Sequence, residues 1–129
     1  MQLVHQFDYI FKLERLALTL TTYEVLSMGP DKGIIEMVKD SVTFDSLKKT
    51  LKTDFPAALT LKDFFEIFYE DNLVQAKENF LKSLAAYCLV MYILQAKDRH
   101  NGNILLHRNG KIFHIDFGFF LSNAPGKGI

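Results

Sequence analysis

The chain has a single cysteine, no excess of charge of either sign, and no apolar run long enough to cross a bilayer. One thiol, Cys88, cannot build an internal disulfide framework and suits a reducing compartment. Fifteen basic side chains face fifteen acidic ones, so the cationic excess with which a domain captures nucleic acid is missing and no nucleic-acid partner is expected. The longest apolar run, Leu84 to Leu94, is about half of the ~20 residues a span requires and reads as a buried core helix. The N-terminal MQLVHQFDYIFK lacks a charged region followed by an apolar core and a small-residue cleavage site, so no signal peptide is expected. What is abundant is apolar. Of 129 residues, 49% are hydrophobic and 13% aromatic, enough for one packed domain or a piece of one, but too few residues for an ordinary two-lobed enzyme.

In residues 1 to 16, Leu3, Val4, Phe7, Ile10, Phe11 and Leu13 recur at mostly three- and four-residue steps, which predicts an amphipathic helix. Leu18 to Met28 is rich in β-branched and aromatic residues. The turn signal Gly29-Pro30-Asp31-Lys32-Gly33 and the apolar Ile34, Ile35, Met37 and Val38 complete a predicted β-hairpin. Extended chain near residues 39 to 43 is placed to connect two lobes. Phe44, Leu47 and Leu51 then take helical spacing, closed by Asp54-Phe55-Pro56. A helix from Leu61 to Tyr69 follows Thr60 as N-cap, and a longer one runs from about Asn72 to Gln95, apolar all round toward its end as if enclosed. Beyond it, Asn109-Gly110 between Ile104–Leu106 and Lys111–Ile115 signals a second hairpin.

The chemistry concentrates in Asp98-Arg99-His100-Asn101-Gly102-Asn103 and in Asp116-Phe117-Gly118. Phosphoryl transfer from ATP needs a group that orients or deprotonates the acceptor hydroxyl, and oxygen ligands for Mg²⁺. A kinase catalytic loop supplies the first from an Asp and one metal ligand from an Asn five residues later, while a DFG Asp supplies the other. Asp98 and Asn103 have that spacing, and Asp116 has that context.

The triplet runs Asp-Arg-His, where protein kinases read His-Arg-Asp. With AAYCLVMYILQAKDRHNGNILL and KIFHIDFGFFLSNAPGKG, the chain resembles the catalytic core of the phosphatidylinositol 3/4-kinase superfamily, most like the beta branch of the type III 4-kinases. The resemblance implies an α+β, protein-kinase-like two-lobed fold of which only part is here. Residues 1–40 would be the end of the N-lobe with its hinge, and 41–129 the start of the C-lobe, cut in the activation loop. By the same resemblance Asn103 and Asp116 hold Mg²⁺, and Asp98 and His100 flank the inositol hydroxyl, either being the base. Arg99 braces the loop through a salt bridge. The carbonyl of Glu36 and the N–H of Val38 pair with the adenine of ATP, Tyr23 and Ile35 line the inner pocket, and Leu105 and Ile115 close the face below.

Without the resemblance, Tyr23, Ile35, Leu105 and Ile115 would read as ordinary strand core, Cys88 as a small core residue, and Lys48, Lys49 and Lys52 as a solvated helix face. His100, His107 and His114 fall at seven-residue steps, but Gly102 and Gly110 break any shared helix face and no Cys or carboxylate set completes a zinc site. The seven glycines, at 29, 33, 102, 110, 118, 126 and 128, form no phosphate loop ahead of the hinge, and no strand lysine precedes the first helix, so little activity is expected of these residues alone. The visible activation loop offers only Lys127, which favours plain phosphatidylinositol over multiply phosphorylated lipids.

The expected reaction is transfer of the ATP γ-phosphate to the inositol 4-hydroxyl. The alternatives are a phosphatidylinositol 3-kinase and a non-catalytic module that binds nucleotide or a partner. The expected site of action is a cytoplasmic membrane face, Golgi by resemblance, reached by peripheral recruitment through unknown proteins.

Overall fold

The computed structural model describes residues 1–54 and 60–122, which makes an α+β assembly of four α-helices and two small antiparallel sheets. The N-terminal apolar spacing produces α1 (Gln2–Leu13), which buries Val4 and Phe11. The first hairpin follows as β1 (Val25–Gly29) and β2 (Lys32–Ile35), with Val25 opposite Ile35 and an irregularity between Ser27 and Gly29. Its first strand begins later than the composition predicts. Residues 18 to 23 lie outside any strand, yet Leu20 and Tyr23 are buried.

β3 (Ser41–Thr43) and α2 (Phe44–Asp54) come next. The expected stop at Phe55-Pro56 lies outside the described residues. α3 (Leu61–Phe68) opens with the predicted cap, in which the Thr60 hydroxyl accepts from the Asp63 N–H at 3.2 Å and the Asp63 carboxylate accepts from the Thr60 N–H at 2.8 Å. After a 3₁₀ turn at Glu70–Asn72, α4 (Leu73–Leu94) runs for 22 residues. Among the described residues no helix is long and apolar enough to cross a membrane.

The second hairpin consists of β4 (Ile104–His107) and β5 (Ile112–His114), with Leu105 opposite Phe113. β3 pairs antiparallel with β4 and completes a three-stranded sheet in the order β3-β4-β5. That third strand has only three residues and a partner some sixty positions away, so no local pattern announces it.

Helix α4 organises both cores. On one side Ala86, Tyr87, Val90 and Leu94 pack with Val4, Phe11, Leu20, Tyr23 and Phe113. Nearer the start of α4, on the same face, Ala76 joins Leu47, Phe65, Tyr69, Leu106 and Ile112. Polar stitches fix the register of these layers. The fully buried Ser83 hydroxyl donates to the carbonyl of Asn79 at 2.8 Å and accepts the Ile112 N–H at 2.9 Å, sewing α4 to β5. The Tyr87 hydroxyl donates to the Thr21 carbonyl at 2.7 Å. The turn of the second hairpin sits so close to α4 that a Cβ on Gly110 would lie 2.6 Å from the Ala76 carbonyl oxygen.

One expectation about α4 needs correction. Its C-terminal half is apolar all round, yet only the stripe Ser83, Ala86, Tyr87, Val90 and Leu94 is buried. Leu89, Tyr92 and Ile93 are exposed among the described residues, and Cys88 is exposed with them rather than in the core. A helix packed along one side leaves the opposite side out, whatever its composition.

Candidate site around the Asp98 loop and the Asp116 turn

The polar loop is launched by the end of α4. Gln95 takes a left-handed conformation (φ 51°), and the Ala96 N–H donates back to the Met91 carbonyl at 3.0 Å, which stops the helix without a glycine. Asp98 (φ 58°) and Asp116 (φ 55°) adopt the same left-handed conformation. Asp is one of the few residue types that tolerates it, at a cost of about 1–2 kcal/mol.

Asn103 is the inner anchor of the loop and only 6% exposed. Its amide Nδ2 donates to the Asp98 carbonyl at 3.0 Å, its N–H to the His100 carbonyl at 2.9 Å, and its own carbonyl accepts the Ile115 N–H at 3.0 Å. The last bond continues the β4–β5 ladder by one step, since Ile104 faces His114. The ladder therefore sets Asn103 beside the residue that precedes Asp116, and the five-residue spacing from Asp98 is closed by the Asn103 amide itself.

His100 is turned back on its own backbone. Its Nδ1 accepts the Gly102 N–H at 3.0 Å, and a Cβ on Gly102 would lie 3.0 Å from the ring. With Nδ1 accepting, the neutral ring carries its proton on Nε2, a tautomer assigned from the hydrogen bond. That Nε2 lies 3.9 Å from Asp98 Oδ1, and both side chains are open to solvent.

Arg99 departs from the expected salt bridge. Its Nε donates to the Lys97 carbonyl at 2.8 Å, one terminal nitrogen to the Ile115 carbonyl at 2.8 Å, and the other to the Asp116 carbonyl. The guanidinium also sits over the Phe117 ring, 5.5 Å from its centre. Partial burial lowers its pKa, while Asp116 and Asp98 oppose that shift.

Beneath the turn, His114 is buried and stacks on Tyr87 with ring centres 4.8 Å apart. Burial, with a smaller contribution from Arg99, lowers its pKa to about 4, and its Nδ1 has no hydrogen-bond partner among the described residues. The Tyr23 hydroxyl donates to the His114 carbonyl at 3.4 Å, and burial raises the Tyr23 pKa. Ser83 supports the site without having been singled out for it, because it carries no periodic or spacing signal of its own, while Arg99 and His114 support it through contacts other than those the sequence suggests.

The oxygens available for a cation are hard ones. With Asn103 Nδ2 committed, its Oδ1 has no partner among the described residues, and Asp116 Oδ1 receives a 3.4 Å contact from the Gly118 N–H. One amide and one carboxylate oxygen suit Mg²⁺, which keeps waters and takes phosphate oxygens for the rest of its shell.

The remaining predicted residues fall in two groups. Tyr23 belongs to the core shared with α4, and Val38, Leu105 and Ile115 pack against it. Ile35 does not join them and is 66% exposed on the first hairpin. At the hinge, the Glu36 N–H donates to the Glu24 carbonyl at 2.9 Å, and the Glu36 carboxylate, in place of its carbonyl, accepts the Glu24 N–H at 2.9 Å. The Glu36 carbonyl and the Val38 N–H thus have no partner among the described residues. Two surface cavities, of about 440 and 390 Å³, lie elsewhere. The smaller is lined in part by Glu24, Val25, Leu94 and Phe117, and neither by Tyr23, Ile35, Leu105 or Ile115.

The sequence model described as "phosphatidylinositol 3- and 4-kinase" matches residues 1–128. Among curated relatives, a phosphatidylinositol 4-kinase of Dictyostelium discoideum is 46% identical over 130 residues, covering 98% of this chain and 11% of the relative. Phosphatidylinositol 4-kinase beta 1 of Arabidopsis thaliana is 44% identical over 97% of this chain and 11% of its own length. For phosphatidylinositol 4-kinase beta of Danio rerio the identity is 41%, over 96% of this chain and 15% of the relative. The chain thus spans 11 to 15% of the length of these relatives.

Proposed function

The chain belongs to the phosphatidylinositol 3- and 4-kinase family, and on that premise we propose that it carries part of the catalytic domain of a phosphatidylinositol 4-kinase. The reaction moves the γ-phosphate of ATP to the 4-hydroxyl of phosphatidylinositol at a membrane surface. The observation that carries this reading is the ladder bond from the Ile115 N–H to the Asn103 carbonyl, which joins the Asp98 loop to the Asp116 turn.

Residues 1–40 are the end of an N-lobe with its hinge, and 41–129 the beginning of a C-lobe. Because the α1 and Tyr23 side chains share a core with α4, the two parts meet through packed side chains as well as through the chain between them. At the hinge, the unpaired Glu36 carbonyl and Val38 N–H receive the adenine edge. Tyr23, Leu105 and Ile115 shape the apolar floor, while Ile35 stays exposed on the hairpin.

Asn103 and Asp116 would hold Mg²⁺, which when bound neutralises the phosphate oxygens through the transfer. The chain's own residues do the remaining work. In the His100 rotamer fixed by the Gly102 N–H, Nε2 is a donor, so Asp98 is the group free to accept the hydroxyl proton, and His100 orients it. Exposure of both side chains leaves room for a headgroup brought by the membrane.

The test uses the full-length protein with phosphatidylinositol vesicles and ATP. Asp98→Asn should lose turnover by at least about 10²-fold, the scale of a general base, while His100→Gln keeps a larger share. The reverse order would return the base to His100, and full activity in both would sink the assignment of this loop to catalysis.

A further inference from the structure

We propose that Arg99 is a positioning residue that locks the Asp116 turn onto the Asp98 loop, so that the Asn103 and Asp116 oxygens converge on one cation. The inference rests on the metal assignment proposed above and adds to it the part that makes the two ligands a pair.

Asn103 and Asp116 come from different segments, joined at this point by one backbone bond, Ile115 N–H to Asn103 carbonyl. Past Ile115 the ladder ends and the chain turns through a left-handed Asp116 into a half-buried Phe117 and an exposed Gly118. The direction of the Asp116 carboxylate therefore depends on whatever holds that peptide. Arg99 does so with its planar fork, whose terminal nitrogens take the consecutive carbonyls of Ile115 and Asp116. Its Nε meanwhile holds the Lys97 carbonyl on the other segment, and its face covers Phe117. A single planar group thus ties the start of the Asp98 loop, at Lys97, to the peptide that carries Asp116.

Since all three acceptors are carbonyls, no carboxylate is consumed in holding the arginine, and Asp98 and Asp116 stay available. The guanidinium also interacts favourably with the charges of Asp116 and Asp98, which offsets their mutual repulsion before a cation arrives. Lysine keeps the charge but cannot reach two consecutive carbonyls and a third one opposite from a single nitrogen.

The experiment measures Mn²⁺ binding by electron paramagnetic resonance, in the presence of a non-hydrolysable ATP analogue, on the full-length protein. Wild type, Arg99→Lys, Arg99→Met and Asp116→Ala are compared, with the thermal midpoint of each in EDTA. Arg99→Lys is expected to weaken Mn²⁺ binding by about 10–100-fold, as loss of a ligand-orienting group does, with an EDTA midpoint close to wild type. Arg99→Met should weaken it at least as much. The proposal is overturned if Arg99→Lys binds Mn²⁺ like wild type, or if its loss of binding merely follows a loss of folded protein in EDTA. Asp116→Ala separates the two claims. If it binds Mn²⁺ normally, the metal assignment itself fails. If it loses Mn²⁺ while Arg99→Lys keeps it, only the positioning role fails.

Discussion

Replacing Gly110 by alanine should loosen the second hairpin more than a turn substitution ordinarily does. Two costs arise together. Gly110 has φ 89°, where an L-residue is strained by about 1–2 kcal/mol. The new methyl would also stand 2.6 Å from the Ala76 carbonyl oxygen and 2.8 Å from its Cα, and overpacking of this kind costs about 1–3 kcal/mol. The combined loss is about 2–5 kcal/mol, a fall in amide protection at Ile112 of about 30- to 4,000-fold at tenfold per 1.4 kcal/mol. Hydrogen exchange read by mass spectrometry on the full-length protein measures it. Because β5 leads directly into Asp116, turnover should fall with it. Ala76→Gly should give no rescue, since the obstructing atoms belong to the backbone. A Gly110→Ala protein within about 0.5 kcal/mol of wild type, or one restored by Ala76→Gly, would refute the reasoning.

Other predictions concern the supports under the site. Ser83→Ala leaves the buried Ile112 N–H without an acceptor and should cost about 1–3 kcal/mol, read as faster exchange at that amide. Tyr87→Phe removes the 2.7 Å bond to the Thr21 carbonyl and should cost about 0.5–1.5 kcal/mol by the same readout. His114 is held neutral, with its pKa lowered from 6.5 to about 4, so between those values the unfolded chain binds the extra proton. Stability from this group is complete above about pH 6.5, falls by up to about 1.4 kcal/mol per unit as pH drops toward 4, and levels off below. Thermal midpoints in EDTA across that range should show the slope in wild type and a shallower one in His114→Leu. Equal slopes would remove His114 as its source.

Much of this arrangement is legible in the residues. Thr60 with Asp63 marks a helix start, Asn109-Gly110 marks a hairpin, and the intervals between Asp98, Asn103 and Asp116 mark a site, because each is a local pattern with a local cause. What escapes is whatever depends on distant neighbours. β3 becomes a strand by pairing with β4, and its three residues carry no signal of that. Arg99 reads as a salt-bridge partner because charge is visible in a sequence, whereas the carbonyls it holds are not. Cys88 and Ile35 look buried by composition, but one faces away from the packed side of α4 and the other lies on an exposed hairpin. Composition says that a segment is apolar, and only packing says which side is covered.

The most direct test is the identity of the lipid product. Full-length wild type and Asp116→Ala are incubated with radiolabelled ATP, Mg²⁺ and phosphatidylinositol vesicles, and the deacylated product is resolved by chromatography. The account predicts the 4-phosphate isomer from wild type and a loss of at least about 10²-fold in Asp116→Ala, whose folding is retained. A 3-phosphate product, the absence of any lipid product, or full activity in Asp116→Ala would contradict it.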